Sequence, residues 1–100
     1  MDKKEILRQL GDIPEEDYDE FVLIFYEETR DRLKLITEEM AALNCSAIAK
    51  LAHGIKGSSA NLRLIQIQEV AKCLQEAAES NNQIQVSKSF ELLRSLIPEA

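Results

Sequence analysis

The chain contains a single histidine, His53, and it stands among residues with small side chains. In "AHGIKGSSAN", residues 52–61, Lys56 follows it by three positions and Gly57 by four. On a helix, positions three and four apart share one surface with the starting residue. A phosphoryl group on an imidazole needs a nearby cation and open space around it. This spacing therefore suits a nucleophilic histidine that accepts a phosphoryl group.

Other chemistry at His53 has less support from its neighbours. A metal site needs more ligands, and Lys56 would repel a cation. Acid–base catalysis needs a pocket and a group that orients the ring, and neither is visible in the sequence. Two glycines inside a helix, Gly54 and Gly57, also have a packing explanation, because small residues let helices approach closely. Ser58 and Ser59 lie at or near the apolar face, where hydrogen bonding within the protein is expected.

The elements that must position His53 are helices. Apolar spacing predicts helices over residues 2–10, 15–43, 47–62 and 65–80, and a last helix that carries Val86, Phe90, Leu93 and Ile97. Asp2 and Ser46 are predicted N-caps, and Gly11 a helix end. The apolar face of the long helix is predicted to hold Phe21, Ile24, Phe25, Leu33, Ile36, Met40 and Leu43, with Thr29 as an interruption.

Short connections between these helices predict antiparallel neighbours. The expected fold class is therefore all-α, an antiparallel four-helix bundle with a short extra N-terminal helix. In the histidine helix, the predicted core stripe consists of Ile48, Leu51, Ala52, Ile55, Ser59 and Leu62. His53 falls about 160° from the centre of that stripe, on the exposed side.

Composition limits the classes of function. One hundred residues make one domain, expected to span 1–100, and a net charge of −6 argues against nucleic acid and anionic membranes as partners. No signal peptide and no apolar run of about 20 residues is visible, and the isolated Cys45 and Cys73 fit a reducing compartment, so a cytoplasmic location is expected. A monomer is expected. The initial methionine and the complete set of helices favour a stand-alone protein.

The stretch "LAHGIKGSSANL", residues 51–62, resembles the signature of histidine-containing phosphotransfer (HPt) domains, the modules of bacterial, fungal and plant phosphorelays. The matching pattern is Ala-His, any residue, a large aliphatic residue, Lys-Gly-Ser, a small residue, Ala and Asn. Downstream, "VAKCLQEAAES" is similar to the family's next helix, with Gln75 where the family usually has glutamate. Helix number and order also agree, so the resemblance covers most of the chain.

The resemblance implies a role for each matching residue. His53 would be the phosphoacceptor, Lys56 would support the phosphoryl group electrostatically, and Gly57 would leave room for it. Gln75 would approach the imidazole and hold its orientation. The docking surface would centre on His53 and include Ala49, Lys50, Gly54 and Asn61.

The same resemblance implies a phosphocarrier and not an enzyme with an ATP site. Its partners would be response-regulator receiver domains, among them the receiver of a hybrid sensor kinase. They would bring the aspartate and the Mg²⁺, and the HPt domain would need no cofactor. Two alternatives stay open: a receiver-docking module whose histidine is silent, and an enzyme that uses His53 as an acid or base.

One position departs from the family pattern. Arg63 stands where the family commonly has a glycine, after Asn61-Leu62. A positive φ costs glycine little and arginine more. We therefore expect a different shape for the connection from Leu62 to Ile65. Arg63 itself is expected to be a solvated side chain, with contact to an acidic partner surface as the alternative.

Overall fold

The computed structural model describes residues 2–99, over which the chain forms five α-helices and no strand. They are α1 (Lys3–Gln9), α2 (Glu15–Ala41), α3 (Cys45–Asn61), α4 (Ile65–Glu79) and α5 (Gln83–Leu96). Consecutive helices α2 to α5 pack as neighbours joined by short connections. The predicted all-α bundle with a short N-terminal helix is confirmed.

Short polar side chains begin three of the helices. Asp2 caps α1, as predicted, by accepting a hydrogen bond from the backbone N–H of Glu5 at 2.9 Å. The prediction for the histidine helix is wrong by two residues, because Asn44 and not Ser46 is its N-cap. The Asn44 Oδ1 accepts from the backbone N–H of Ala47 at 3.3 Å. An asparagine satisfies a free N–H at a helix start as well as a serine does.

The buried face of α2 differs from the predicted one. Phe21, Ile24 and Leu43 are exposed, by 47%, 44% and 65%. The buried residues of α2 are Tyr18, Phe25, Thr29, Leu33 and Ile36. At about 100° per residue, Phe21 is rotated away from the centre of this buried face, and Ile24 is rotated further in the same direction. Leu43 lies beyond the end of the helix. Thr29 is therefore part of the core, and two of the α2 side chains predicted for the core face, Phe21 and Ile24, are left at the surface.

Tyr18 joins the start of α2 to the end of the histidine helix. Its hydroxyl donates a hydrogen bond to the backbone carbonyl of Leu62, the C-cap of α3, at 2.7 Å. Burial raises the pKa of this hydroxyl above its ordinary value, so it stays protonated and able to donate at neutral pH. The bond satisfies a carbonyl that the helix itself leaves free.

Replacing Tyr18 with phenylalanine is expected to lower the free energy of unfolding by about 1 kcal/mol, since the Leu62 carbonyl loses its donor. Urea unfolding followed by circular dichroism measures the change. Tyr26→Phe is the matched control, because the Tyr26 hydroxyl makes no hydrogen bond within residues 2–99. Equal stability of the two variants would contradict the assignment.

Each connection between helices passes through a left-handed residue. Leu43, Arg63 and Asn81 follow α2, α3 and α4 with φ of 57°, 59° and 55°. After α3, the N–H of Leu64 bonds the carbonyl of Ser59 at 2.9 Å, which closes the turn in the way that usually favours glycine. The expectation that Arg63 changes the shape of this connection is therefore wrong.

Arg63 is also not simply solvated. Its Nη1 donates to the carbonyl of Ala60 at 2.7 Å, and its Nε donates to Oε1 of Gln9 in α1 at 3.1 Å. The guanidinium thus stabilises the end of α3 and ties α1 to it. These bonds offset the cost of a positive φ at a residue with a Cβ.

Leu43 has no such compensation, so Leu43→Gly is expected to raise the free energy of unfolding by about 0.5–1 kcal/mol. The gain is the relief of the left-handed strain minus the extra entropy of glycine in the unfolded chain. Thermal and urea unfolding measure it. Leu43→Ala keeps the Cβ and is expected to bring no gain, and a glycine variant no more stable than the alanine variant would refute the interpretation.

Candidate functional site

His53 lies in the middle of α3 with its side chain exposed. The opposite side of the helix is buried and carries Cys45, Ile48, Ala52, Ile55 and Ser59. The predicted orientation of the imidazole, away from the core, is therefore confirmed. A histidine so placed is accessible to a macromolecular partner.

Lys56 and Gly57 lie one turn further along the same side of α3. The Lys56 side chain is half-buried, whereas Gly57 is exposed. No heavy atom lies within 4 Å of the place where a Cβ on Gly57 would stand. Close helix packing therefore does not explain this glycine, and the space beside the imidazole is open.

Gly54 is different, because another helix lies over it. A Cβ at Gly54 would stand 3.3 Å from Cζ of Arg32 and 3.4 Å from its Nε. The same guanidinium donates through Nη1 to the Ser58 Oγ at 3.3 Å. Arg32 in α2 thus covers Gly54 and Ser58 next to the histidine.

Arg32 is not among the residues that the sequence predicted for this site. Its position beside the buried Thr29, Leu33 and Ile36 of α2 places it at the edge of the core face. That signal identifies a boundary residue. It does not say which neighbouring helix the residue meets.

Gln75 lies half-buried on α4, the helix that follows α3 and packs against it. Its Nε2 donates to Oε2 of Glu79 at 3.4 Å. Its Oε1 is buried and has no hydrogen-bond partner within residues 2–99. A buried acceptor without a donor costs folding free energy. An N–H of a neighbouring side chain that donated to this oxygen would remove that cost.

The other residues of the predicted docking surface have different exposures. Lys50 and Asn61 are exposed, and Ala49 and Gly54 are half-buried. Of the two serines, Ser59 is buried and donates to the backbone carbonyl of Lys56 at 3.0 Å, as expected for bonding within the bundle.

The charge of α3 contrasts with that of the whole chain. The helix contains Lys50 and Lys56 and no acidic residue, although the chain carries a net charge of −6. In the described part of the chain, the ion pairs join Lys3 to Glu15 and Asp19, Lys72 to Glu76, and Arg94 to Glu91, and none of them includes a residue of α3. The side of α3 that carries His53 therefore contributes positive charge, which suits an anion.

The family of this chain is given by a comparison with family models. The model of the Hpt domain matches residues 20–100, which is most of the chain. The chain belongs to the Hpt domain family. Hpt domains are histidine phosphotransfer modules of phosphorelays: they carry phosphoryl groups without an ATP site of their own, and they interact with receiver domains. No match was found in the comparison with curated proteins or in that with solved structures.

The match to the Hpt domain begins inside α2, so α1 lies outside it. α1 is seven residues long, has no buried residue, and is held by Lys3 to Glu15 and Asp19 and by Gln9 to Arg63. It is an addition to the matched bundle. The expectation of one domain over residues 1–100 stays a prediction.

Other features of this Hpt domain lie apart from His53. An open groove of about 700 Å³ runs between α2 and α5, and His53 is not among its lining residues. In residues 2–99, no group of three or more His, Cys, Asp or Glu side chains is placed to hold a metal ion. None of the five helices is both long and apolar enough to cross a bilayer.

Proposed function

We propose that this Hpt domain is a phosphocarrier in which His53 accepts a phosphoryl group from a receiver aspartate and returns it to one. The observation that carries the proposal is the exposure of the imidazole on a helix face that has two lysines and no carboxylate. Such a face attracts a phosphoryl group and leaves the ring accessible to the partner's active site.

The transfer step needs no group other than those that the two proteins hold. The unprotonated ring nitrogen of His53 attacks phosphorus with its lone pair. The bond from phosphorus to the aspartyl oxygen breaks, and its electron pair leaves with the regenerated carboxylate. The product is a phosphoramidate whose other ring nitrogen keeps its proton, and the reverse reaction follows the same path. Catalysis here is mainly a matter of positioning and electrostatics.

Gln75 is the proposed orienting residue for that remaining ring N–H. Its buried Oε1 lacks a donor among the described residues, and an imidazole N–H on the neighbouring helix would supply one. Such a bond would fix which ring nitrogen is free to attack. It would also stabilise the phosphorylated ring formed by the transfer, in which the other nitrogen still carries its proton.

Lys56 is the proposed electrostatic support for the phosphoryl group. Its ammonium is a mobile point charge on a flexible stem, one turn from His53. Gly57, with open space where a side chain would be, leaves room for the phosphoryl oxygens. We propose that the domain itself needs no cofactor and that any Mg²⁺ is held by the receiver.

The proposed docking surface surrounds the histidine and includes Ala49, Lys50 and Asn61. At Gly54 a partner would meet Arg32, which covers that residue. Phe21 of α2 extends the docking surface with exposed apolar area. Phe21 is eleven residues, or three helical turns, before Arg32, so both lie on the side of α2 that faces the histidine helix. Aromatic residues are enriched at protein interfaces, which is why the exposed side chain of Phe21 is included.

Labelling by a panel of phosphorylated receiver domains tests the proposal. We expect a label that acid removes and base does not, which is the behaviour of a phosphoramidate. Tryptic cleavage after Lys50 and Lys56 isolates the peptide LAHGIK. Because trypsin needs the free ammonium of Lys56 to cleave there, label in this peptide lies on His53. Label outside this peptide, or no label from any receiver, would overturn the proposal. Receiver binding without label would instead favour the docking module with a silent histidine.

A further inference from the structure

The position of Arg32 is not explained by the packing of the bundle alone. Its guanidinium lies against α3, and a Cβ at Gly54 would stand 3.3–3.5 Å from three of its atoms, so the arginine would have to move by a few tenths of an ångström. Gly54 in the interior of a helix costs stability relative to alanine. The long arginine side chain also loses conformational freedom when it is held across a neighbouring helix. The contact between Arg32 and Gly54, next to His53, therefore carries two costs in folding free energy.

Arg32 is also short of partners. A guanidinium has five N–H donors, and within residues 2–99 its hydrogen-bond acceptor is the Ser58 Oγ. No carboxylate of the described residues lies within ion-pair distance of it, whereas Arg94 is paired with Glu91. Arg32 is half-buried, so these donors and the positive charge are retained at a partly desolvated place.

The helical register puts the two cations on opposite sides of the histidine. Gly54 and Ser58, which Arg32 covers, lie about 100° and 140° around α3 from His53, and Lys56 lies about 60° in the other direction. Gly57, with its open space, lies between His53 and the arginine. A phosphoryl group on the imidazole would therefore have the Lys56 ammonium on one side and the Arg32 guanidinium on the other.

We propose that Arg32 is a second phosphoryl-binding residue of this domain, supplied by α2, which donates hydrogen bonds to the phosphoryl oxygens on His53. The inference rests on the proposed role of His53 as phosphoacceptor. Arg32 makes and breaks no covalent bond. Its planar fork matches two phosphoryl oxygens, which the single ammonium of Lys56 does not do. Gly54, without a Cβ, lets the guanidinium lie close to α3.

The proposal predicts an effect on the ionisation of the phosphoryl group. A cation beside it favours the dianion, so loss of Arg32 raises the pKa of the phosphoryl group. It also makes phosphohistidine less stable relative to the receiver's aspartyl phosphate. We expect Arg32→Gln to shift the transfer equilibrium away from His53 by roughly tenfold, as for one charge-assisted hydrogen bond.

The first experiment uses the full chain phosphorylated by potassium phosphoramidate, in which the ring nitrogen displaces ammonia from phosphorus. A pH titration of the phosphohistidine signal by ³¹P NMR gives its midpoint. We expect Arg32→Gln to raise the midpoint by roughly 0.5–1 pH unit, and Arg32→Lys to raise it less. Lys34→Gln is the matched control, since it removes the same charge from an exposed position on α2.

The second experiment measures the equilibrium ratio of phosphohistidine to aspartyl phosphate with the receiver that labels the wild type. If the contact between Arg32 and Ser58 is purely structural, Arg32→Gln would change the melting temperature only. Its titration midpoint and its equilibrium ratio would then equal those of Lys34→Gln, and this result would overturn the inference. Because phosphoramidate needs no receiver, the titration tests Arg32 even if every receiver fails to label the protein. Failure of the proposed function and failure of this inference are therefore distinguishable.

Discussion

Replacing His53 with glutamine is expected to abolish phosphorylation by any receiver and to leave the fold intact. Glutamine has a similar polar side chain but no nucleophilic ring nitrogen, so no phosphoramidate can form. Transfer should fall below detection, a loss of at least about a thousandfold in rate. Because the imidazole is exposed and opposite the buried face of α3, the free energy of unfolding should change by less than about 0.5 kcal/mol.

Two measurements on this variant separate chemistry from docking. Radiolabel transfer from a phosphorylated receiver reports the chemistry, and titration calorimetry with the same receiver reports binding. We expect the variant to bind with an affinity within a few fold of the wild type, since one exposed side chain is changed in a larger surface. Transfer that persists in His53→Gln would place the phosphoacceptor elsewhere and contradict the proposed mechanism.

Gly57 is the position where stability and transfer are expected to change in opposite directions. A Cβ there would meet no atom within 4 Å, so Gly57→Ala gains helix propensity without a clash. The free energy of unfolding should rise by about 1 kcal/mol, which raises the melting temperature by about 4–8 °C in a domain of this size. The same Cβ stands in the space proposed for the phosphoryl oxygens.

Transfer to the Gly57 variants is expected to fall as the side chain grows. Leucine should slow it by roughly a hundredfold, because it displaces the reacting groups from their attack geometry, and alanine should have a smaller effect. Rapid-quench transfer kinetics measure the rates. Ser87→Leu, at an exposed position of α5, is the control and should transfer normally. If Gly57→Leu transferred at the wild-type rate, the space beside His53 would have no part in the reaction.

Much of the site could be predicted from the sequence because it lies on one helix. The spacing of Ile48, Ala52, Ile55 and Ser59 sets the rotation of α3 about its axis, and this rotation places His53 on the exposed side. Lys56 and Gly57 follow at intervals that a helix converts into proximity. The start of that helix was predicted less well, because Asn44 and Ser46 are both good N-caps and only the backbone distinguishes them.

The long helix was predicted in extent but not in rotation. Its apolar residues are more numerous than its buried face can hold, so spacing alone allows more than one choice of face. Packing in the bundle buries Tyr18 and Thr29 and leaves Phe21 and Ile24 exposed. Which face of α2 is buried depends on the helices that lie beside it, and the spacing of apolar residues within one helix does not specify this.

By itself, then, the sequence determined the helices, the orientation of His53 and the local motif around it, because these depend on residues within a few turns of one another. The tertiary structure alone decided the contacts between helices: Tyr18 on the Leu62 carbonyl, Arg63 on Gln9, and Arg32 over Gly54 and against Ser58. Arg32 and Ser58 are 26 positions apart, and their meeting depends on the relative register of α2 and α3. That register is set by the packing of the whole core, and no short-range pattern specifies it.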